Sequence, residues 1–213
     1  IEKNSPAFWG QLAQGAFGSL PLAVSRWQSA EMKKRASVLM AANDYDAVVC
    51  DFLVPAASLP DWSQLVLFQH NVEALIWERH AALGRTPLHR WYLRGQARKM
   101  ESFEGAVCRA VRRVIAVSRE DAQLMAAKYG RQDVAWVPTG VDVDFFAPPT
   151  LVPPVADLIF LGSMDWLPNI DGAAWLEREI LPRIWSQRPQ TTLALVGRRP
   201  VASIQAMAQD KRI

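Results

Sequence analysis

The chain has 213 residues, half of them apolar, so it can bury a hydrophobic core and intrinsic disorder is excluded. Its two cysteines, Cys50 and Cys108, lack metal-ligand spacing and predict neither a disulfide framework nor a zinc site, which fits a reducing compartment. No apolar run reaches the roughly 18 to 20 residues of a membrane span, and no leader with a cleavage site opens the sequence. We therefore expect a cytoplasmic protein.

The formal net charge is only +3, but the positive residues are unevenly placed. The segment 79–113 contains nine arginines and lysines against two glutamates. We therefore expect a basic surface there, and no helix-turn-helix, RNA-binding or zinc-finger signature accompanies it that would favour nucleic acid as the partner.

Both ends of the sequence suggest a longer parent. The first residue is Ile1 rather than Met, and residues 209–213 follow a predicted helix without a closing element. We expect an internal fragment.

In chain order, β-branched and apolar runs predict strands, and apolar residues at helical spacing predict helices between them. In the first part of the chain the predicted strands are 46–54, 64–68, 113–117 and 134–137. A helical face is predicted from Val72, Leu75, Ile76 and Leu83, followed by a helix over 88–110.

A further helix is expected between Ser118 and Gly130. The Ser118 hydroxyl can accept from free amides at the helix start, where Glu120 and Asp121 complement the helix dipole. Gly130 suits a left-handed cap at its end.

The proline-rich stretch FAPPTLVPP at 146–154 predicts a stiff, extended connection. We therefore divide the chain into a first domain over 1–147, a linker over 148–156 and a second domain over 157–213. In the second, strands are expected at 158–161 and 192–196, with a loop over 162–169 and a helix over 171–185 that buries Trp175, Leu176, Ile180 and Ile184. The alternation predicts α/β domains with parallel sheets covered by helices on both faces.

Ligands bind at the carboxyl ends of parallel strands, so the loops after the strands are the places to look for chemistry. Four loops stand out by sequence: QHNVE at 69–73, SRED at 118–121, PTGVD at 138–142 and FLGSMDWLPN at 160–169. In their order and distances these motifs resemble the retaining, nucleotide-sugar-dependent glycosyltransferases of the family-four type. The stretches FLGSMDWLPNIDG and HNVEALIWER are similar to bacterial sugar transferases of exopolysaccharide gene clusters, including those associated with exosortase systems.

The resemblance implies the GT-B fold, in which two Rossmann-like domains hold the acceptor and the donor nucleotide. This chain would contain the latter half of the acceptor domain and the first third of the donor domain. The family's early glycine-rich loop and its later pair of glutamates, spaced eight residues apart, are absent. The resemblance implies a nucleotide-sugar as substrate, a glycan or lipid-linked acceptor, no cofactor and no dedicated metal.

On the acceptor side the family has a functional histidine in the loop that matches His70, which implies a catalytic role for this residue. Its imidazole can donate to a sugar hydroxyl or a developing charge, although a histidine at a strand end can also merely satisfy backbone groups. Asn71, Glu73 and Ser118 are further acceptor-binding candidates. Helix-dipole complementation explains Glu73 equally well, and capping explains Ser118.

On the donor side we expect a binding role for six residues: Gly140, Gly162, Ser163, Asn169, Gly197 and Arg198. A glycine lets the backbone approach a diphosphate, and Ser163 can add a hydroxyl donor. Thr139 replaces the family's usual asparagine before Gly140, which we expect to form a tight turn. Ser163 and Pro168 stand where many relatives carry Arg and Lys, so backbone amides, Asn169 or Arg198 would stabilise the leaving diphosphate.

Arg90, Arg94 and Arg98 recur every four residues and share one helix face. This stripe is either a solvated surface or a contact with anionic lipid, which would place the enzyme at the inner face of the plasma membrane.

Two other functions remain open at this point. Nucleotide-sugar epimerases share the two-domain fold, and a fragment could be a non-catalytic module that binds a membrane or a partner. A dinucleotide oxidoreductase is disfavoured because no GxGxxG motif follows a predicted strand.

Overall fold

The computed structural model describes residues 10, 15, 17–82, 86–147 and 155–213. The chain divides into two compact units, Ile1–Val141 and Asp142–Ile213, which we call unit 1 and unit 2. Leu83 and residues 148–154 of the predicted linker lie outside the described residues. Among the described residues, every helix is too short or too polar to span a bilayer.

Unit 1 contains a four-stranded parallel sheet in the order β1-β2-β3-β4. The strands are β1 (Val48–Asp51), β2 (Leu65–Gln69), β3 (Arg113–Ala116) and β4 (Val134–Trp136). The predicted α/β class with parallel strands is confirmed.

The first strand is shorter than the predicted segment 46–54. Phe52 has a φ of 68°, which takes the chain out of the extended conformation directly after Asp51. A 3₁₀ helix, Val54–Ser58, follows with Pro55 at its start. The carboxylate of Asp51 therefore lies at the end of a strand rather than inside one.

The helices of unit 1 are α1 (Leu22–Ser25), α2 (Ala30–Ala42), α3 (Glu73–Ala82), α4 (Pro87–Ala110) and α5 (Arg119–Tyr129). Both predicted ends of α5 are confirmed. The Ser118 hydroxyl accepts from the Asp121 amide at 3.0 Å, and Gly130 ends the helix with φ 67° and ψ 33°.

The core of unit 1 lies between the sheet and helices α4 and α5. Leu65, Leu67 and Val114 of the strands and Met100 and Val107 of α4 are all fully buried. Each such side chain contributes about 1.5–3 kcal/mol of burial free energy. On the opposite sheet face Val49 is 61% exposed. Among the described residues α2 has no fully buried position, although its Met40 packs against the core.

Unit 2 contains two parallel strands, β5 (Leu158–Leu161) and β6 (Leu193–Val196). Its helices are α6 (Leu167–Trp175), a π-helical turn (Leu176–Ile180), α7 (Leu181–Trp185) and α8 (Ala202–Met207). The small core is formed by Met164, Ala173, Ile204 and Met207.

The predicted helix over 171–185 differs from the structure in its start and in its buried face. It begins at Leu167, and Trp175 is 61% exposed. Pro182 has no N–H to donate to a carbonyl one turn earlier. Directly before it the helix forms a wider π turn, in which the Leu181 amide donates to the carbonyl of Leu176, five residues earlier. Because the extra residue in that turn rotates the helix, Ala173 and Leu181 are the buried positions, while Leu176, Ile180 and Ile184 are half-buried.

Candidate functional site

The four strands of unit 1 are parallel, so their carboxyl ends meet at one edge of the sheet. In the register of the sheet Asp51 lies opposite Phe68, and Gln69 opposite Ala116. The loops that begin at Phe52, His70 and Val117 therefore start side by side. This edge is where ligands bind in open parallel sheets.

His70 is held by a carboxylate from the neighbouring strand. Its Nε2 lies 2.7 Å from Oδ1 of Asp51, and the two side chains are 34% and 60% exposed. The strand ends position both groups, since His70 follows β2 directly and Asp51 is the last residue of β1. The pair is held at the strand ends and is open to solvent.

Two phenylalanines fix the plane of the imidazole. The ring of Phe52 stacks on His70 with centroids 4.0 Å apart and an interplanar angle of 12°. Phe68 contacts the same imidazole edge-on at 4.9 Å. The left-handed backbone of Phe52 is rare for a bulky residue, and such strain concentrates at functional sites.

The bond to Asp51 determines what His70 can offer a ligand. A carboxylate accepts hydrogen bonds, so Nε2 carries a proton in this geometry. Nδ1 is then the nitrogen available to a ligand. In the neutral ring Nδ1 accepts from a hydroxyl group, and in the imidazolium it donates to an anion.

The other predicted acceptor residues differ in exposure. Asn71 is exposed, and Glu73 is half-buried at the first position of α3. Burial, assisted by the charge of Glu104, raises the pKa of Glu73. The Ser118 hydroxyl already accepts from the α5 amide, so capping accounts for its oxygen.

Gly140 differs from its prediction. Its φ lies outside the left-handed region, and a Cβ at this position would meet no atom within 4 Å. The expected tight turn at this glycine is absent, since residues 137–142 form neither a turn nor a bend and are exposed. The backbone leaves room here for any side chain.

In unit 2 the predicted donor loops come together at the carboxyl ends of β5 and β6. The Gly162 amide donates to Val196 at 3.0 Å, and the Met164 amide donates to Arg198 at 3.0 Å. A Cβ on Gly197 would collide with the carbonyl oxygen of Gly162. Gly197 is thus required by a close approach of two backbones.

Side chains brace the same loops. The Asn169 amide donates to the Ser163 carbonyl at 3.0 Å and fills the space beside Gly162. The Ser163 hydroxyl donates to Asp165 at 2.7 Å and accepts from Arg198 Nε at 2.9 Å. The bond from Ser163 is the main cause that lowers the pKa of the Asp165 carboxyl. Arg198 therefore brings a guanidinium to this loop.

A cavity of about 1180 Å³ in unit 2 lies elsewhere. Asp157 and Thr191, which precede the two strands, and Trp175 and Arg183 are among its lining residues. It is at the amino ends of the strands, opposite to the glycine loops. Parallel sheets bind ligands at their carboxyl ends, so this cavity does not coincide with the predicted donor loops.

Burial works against a nucleophilic role for either cysteine. Burial raises the pKa of Cys50 to about 11 and that of Cys108 to about 12, and both thiols are free. Among the described residues no group of three or more His, Cys, Asp or Glu side chains could hold a metal ion.

Sequence reasoning missed three residues of the site in unit 1: Asp51, Phe52 and Glu104. Asp51 and Phe52 stood within an apolar run predicted as one strand. Glu104 is fully buried on α4, one turn from Met100 and Cys108. A carboxylate on an otherwise apolar helix face was the signal available for it.

Comparison with known proteins gives one positive finding. Residues 10–145, well over half of the chain, match the family model described as Glycosyltransferase Family 4. No curated protein matches the sequence.

Proposed function

Because the chain belongs to Glycosyltransferase Family 4, we propose that it acts in the transfer of a sugar from a nucleotide diphosphate donor to a glycan or lipid-linked acceptor, with retention of the anomeric configuration. The Asp51–His70 pair is the observation that carries the proposal. It lies in the family-matched unit, at the ligand-binding edge of the sheet, with Nδ1 available to a substrate.

On the acceptor side, His70 orients the incoming hydroxyl or stabilises charge that develops during the transfer. Asp51 holds the imidazole in one tautomer, and Phe52 holds its plane. Asn71, Glu73 and Ser118 contribute further polar contacts to the acceptor. In this mechanism the departing phosphate takes the acceptor proton, so the protein mainly positions groups.

On the donor side, the diphosphate binds at the loops after β5 and β6. Gly162 and Gly197 let the two loops approach each other closely, and Arg198 is exposed with its Nε already anchored on Ser163. A guanidinium can bind a phosphate through its remaining N–H groups. Ser163 and Asn169 support this arrangement by bracing the loop.

A donor panel tests the proposal. The natural full-length protein is incubated with UDP-, GDP- and ADP-sugars and a lipid-linked acceptor, and release of nucleoside diphosphate is measured. We expect release that requires both the acceptor and one class of donor, and a product whose glycosidic linkage keeps the donor's anomeric configuration by NMR.

Two results would contradict it. Conversion of a nucleotide-sugar without an acceptor would identify an epimerase. No turnover and no saturable nucleotide binding would identify a non-catalytic module.

We also propose that the helix face formed by Arg90, Arg94 and Arg98 docks on anionic lipid, as suits a cytoplasmic enzyme with a lipid-linked acceptor. All three are exposed, and among the described residues none forms an ion pair. Leu88 and Trp91 on the same helix are 74% and 67% exposed. Basic residues beside exposed apolar ones are typical of helices that lie in the membrane interface.

Replacing Arg90, Arg94 and Arg98 by glutamine should weaken binding to phosphatidylglycerol-containing vesicles by roughly 100-fold, since each basic residue near the surface contributes about 1 kcal/mol. Flotation with vesicles measures the bound fraction. The control variant replaces Lys33, Lys34 and Arg35, which are exposed on α2. Equal losses in the two variants would show that net charge, and not this face, drives binding.

A further inference from the structure

Glu104 is a fully buried carboxylate that receives four hydrogen bonds. Its Oε1 accepts from the Gln69 side chain at 2.7 Å and the Glu73 amide at 3.0 Å. Its Oε2 accepts from the Ala74 amide at 2.8 Å and the Tyr129 hydroxyl at 2.7 Å. The residue on α4 thus connects the end of β2, the start of α3 and the end of α5.

The arrangement requires a group with two accepting oxygens. Each oxygen faces one backbone N–H, from Glu73 or Ala74, and a backbone amide cannot reverse its role. A neutral carboxylic acid or a glutamine side chain would direct a donor at one of these amides. Only the carboxylate therefore satisfies all four partners.

The buried charge is stabilised by its partners rather than by a cation. Burial raises the pKa of Glu104, and the hydrogen bonds from Ala74, Tyr129, Glu73 and Gln69 oppose that shift. The carboxylate also occupies the positive amino end of α3, where an anion is favoured. A ligand phosphate consequently cannot use the Glu73 and Ala74 amides.

Three of the four bonds hold both ends of the turn that carries His70. Gln69 directly precedes His70, while Glu73 and Ala74 begin the helix that follows it. We propose that Glu104 is a positioning residue: its carboxylate fixes the β2–α3 turn so that His70 meets Asp51 and the substrate in a single orientation. The functional part of this inference rests on the proposed role of His70 in sugar transfer.

The test compares wild type with Glu104→Gln in the natural full-length protein labelled with ¹⁵N at histidine. The imidazole signal of His70 is assigned by its loss in His70→Gln. We expect Glu104→Gln to shift the His70 imidazole signals and to lower kcat roughly 10- to 100-fold, with the KM for the donor unchanged, because a misplacement of about 1 Å can have such an effect.

Glu101→Gln is the matched control. Glu101 lies on the same helix three residues earlier, is exposed and pairs with Lys128 at 2.9 Å. Its replacement should leave both the His70 signals and kcat at the wild-type level. If Glu104→Gln does not fold, Tyr129→Phe, which keeps the carboxylate and removes one donor, should give a smaller shift of the same signals.

A folded Glu104→Gln or Tyr129→Phe protein with wild-type His70 signals would overturn the positioning role. The imidazole spectrum reports this role even if no sugar transfer is found. Absence of transfer in the wild type would instead reject the proposed function and leave the spectral test intact.

Discussion

His70→Ala in the natural full-length protein should lower kcat for sugar transfer about 10²- to 10³-fold, with donor binding close to the wild-type level. The imidazole is the polar group that the Asp51 carboxylate and the Phe52 ring hold at the carboxyl edge of the sheet. Losing one group that contacts the reacting atoms has effects of about this size. Steady-state kinetics with varied donor and acceptor measure the change.

His80→Ala is the control for this experiment. His80 is also a histidine of the β2–α3 region, but it is exposed on α3 and packs edge-on against Trp77. Its replacement should leave kcat unchanged. Unchanged turnover in His70→Ala would show that this residue is not part of the catalytic site.

Asp51→Asn should lower kcat less than His70→Ala does, because asparagine keeps a carbonyl oxygen that can accept from Nε2.

Gly197→Ala should destabilise unit 2 by more than the usual 1–3 kcal/mol of an overpacked position. The added Cβ collides with the Gly162 carbonyl oxygen, and the obstacle is backbone, which cannot rotate away as a side chain can. The carboxyl ends of β5 and β6 must therefore separate. Hydrogen exchange of the amides in β5 and β6 should show faster opening.

Gly172→Ala gives the matched comparison within the same unit. Its Cβ would meet only the Phe160 ring, at 3.4 Å or more, and Gly172 lies inside helix α6. Replacing a helical glycine by alanine stabilises by about 0.5–1 kcal/mol. The two substitutions should thus change exchange rates in opposite directions, and similar rates in both would contradict the close approach at Gly197.

The strands and caps could be predicted because they depend on neighbouring residues in the sequence. Ser118 and Gly130 bound α5 through local hydrogen bonding and backbone conformation, and both were predicted. Trp175 was placed on the wrong face, because helical spacing defines a stripe only while the turn stays regular. The π turn before Pro182 breaks that spacing.

The candidate site could be predicted only in part. His70 was found from its place after a strand, but its partner Asp51 is nineteen residues away in sequence and meets it through the register of β1 and β2. No local pattern reveals that register. Similarly, the arginine expected near the donor loop was identified, but its bond to Ser163 depends on how two strands align.

The left-handed backbone of Phe52 sets two demands on position 52 that favour different amino acids. Glycine or asparagine fits a φ of 68° with less strain, whereas only an aromatic ring can cover the imidazole of His70. A library at this position screened for thermal resistance should enrich glycine and asparagine. The same library screened for turnover should enrich aromatic residues. Selection for stability and selection for catalysis would then favour different amino acids at position 52.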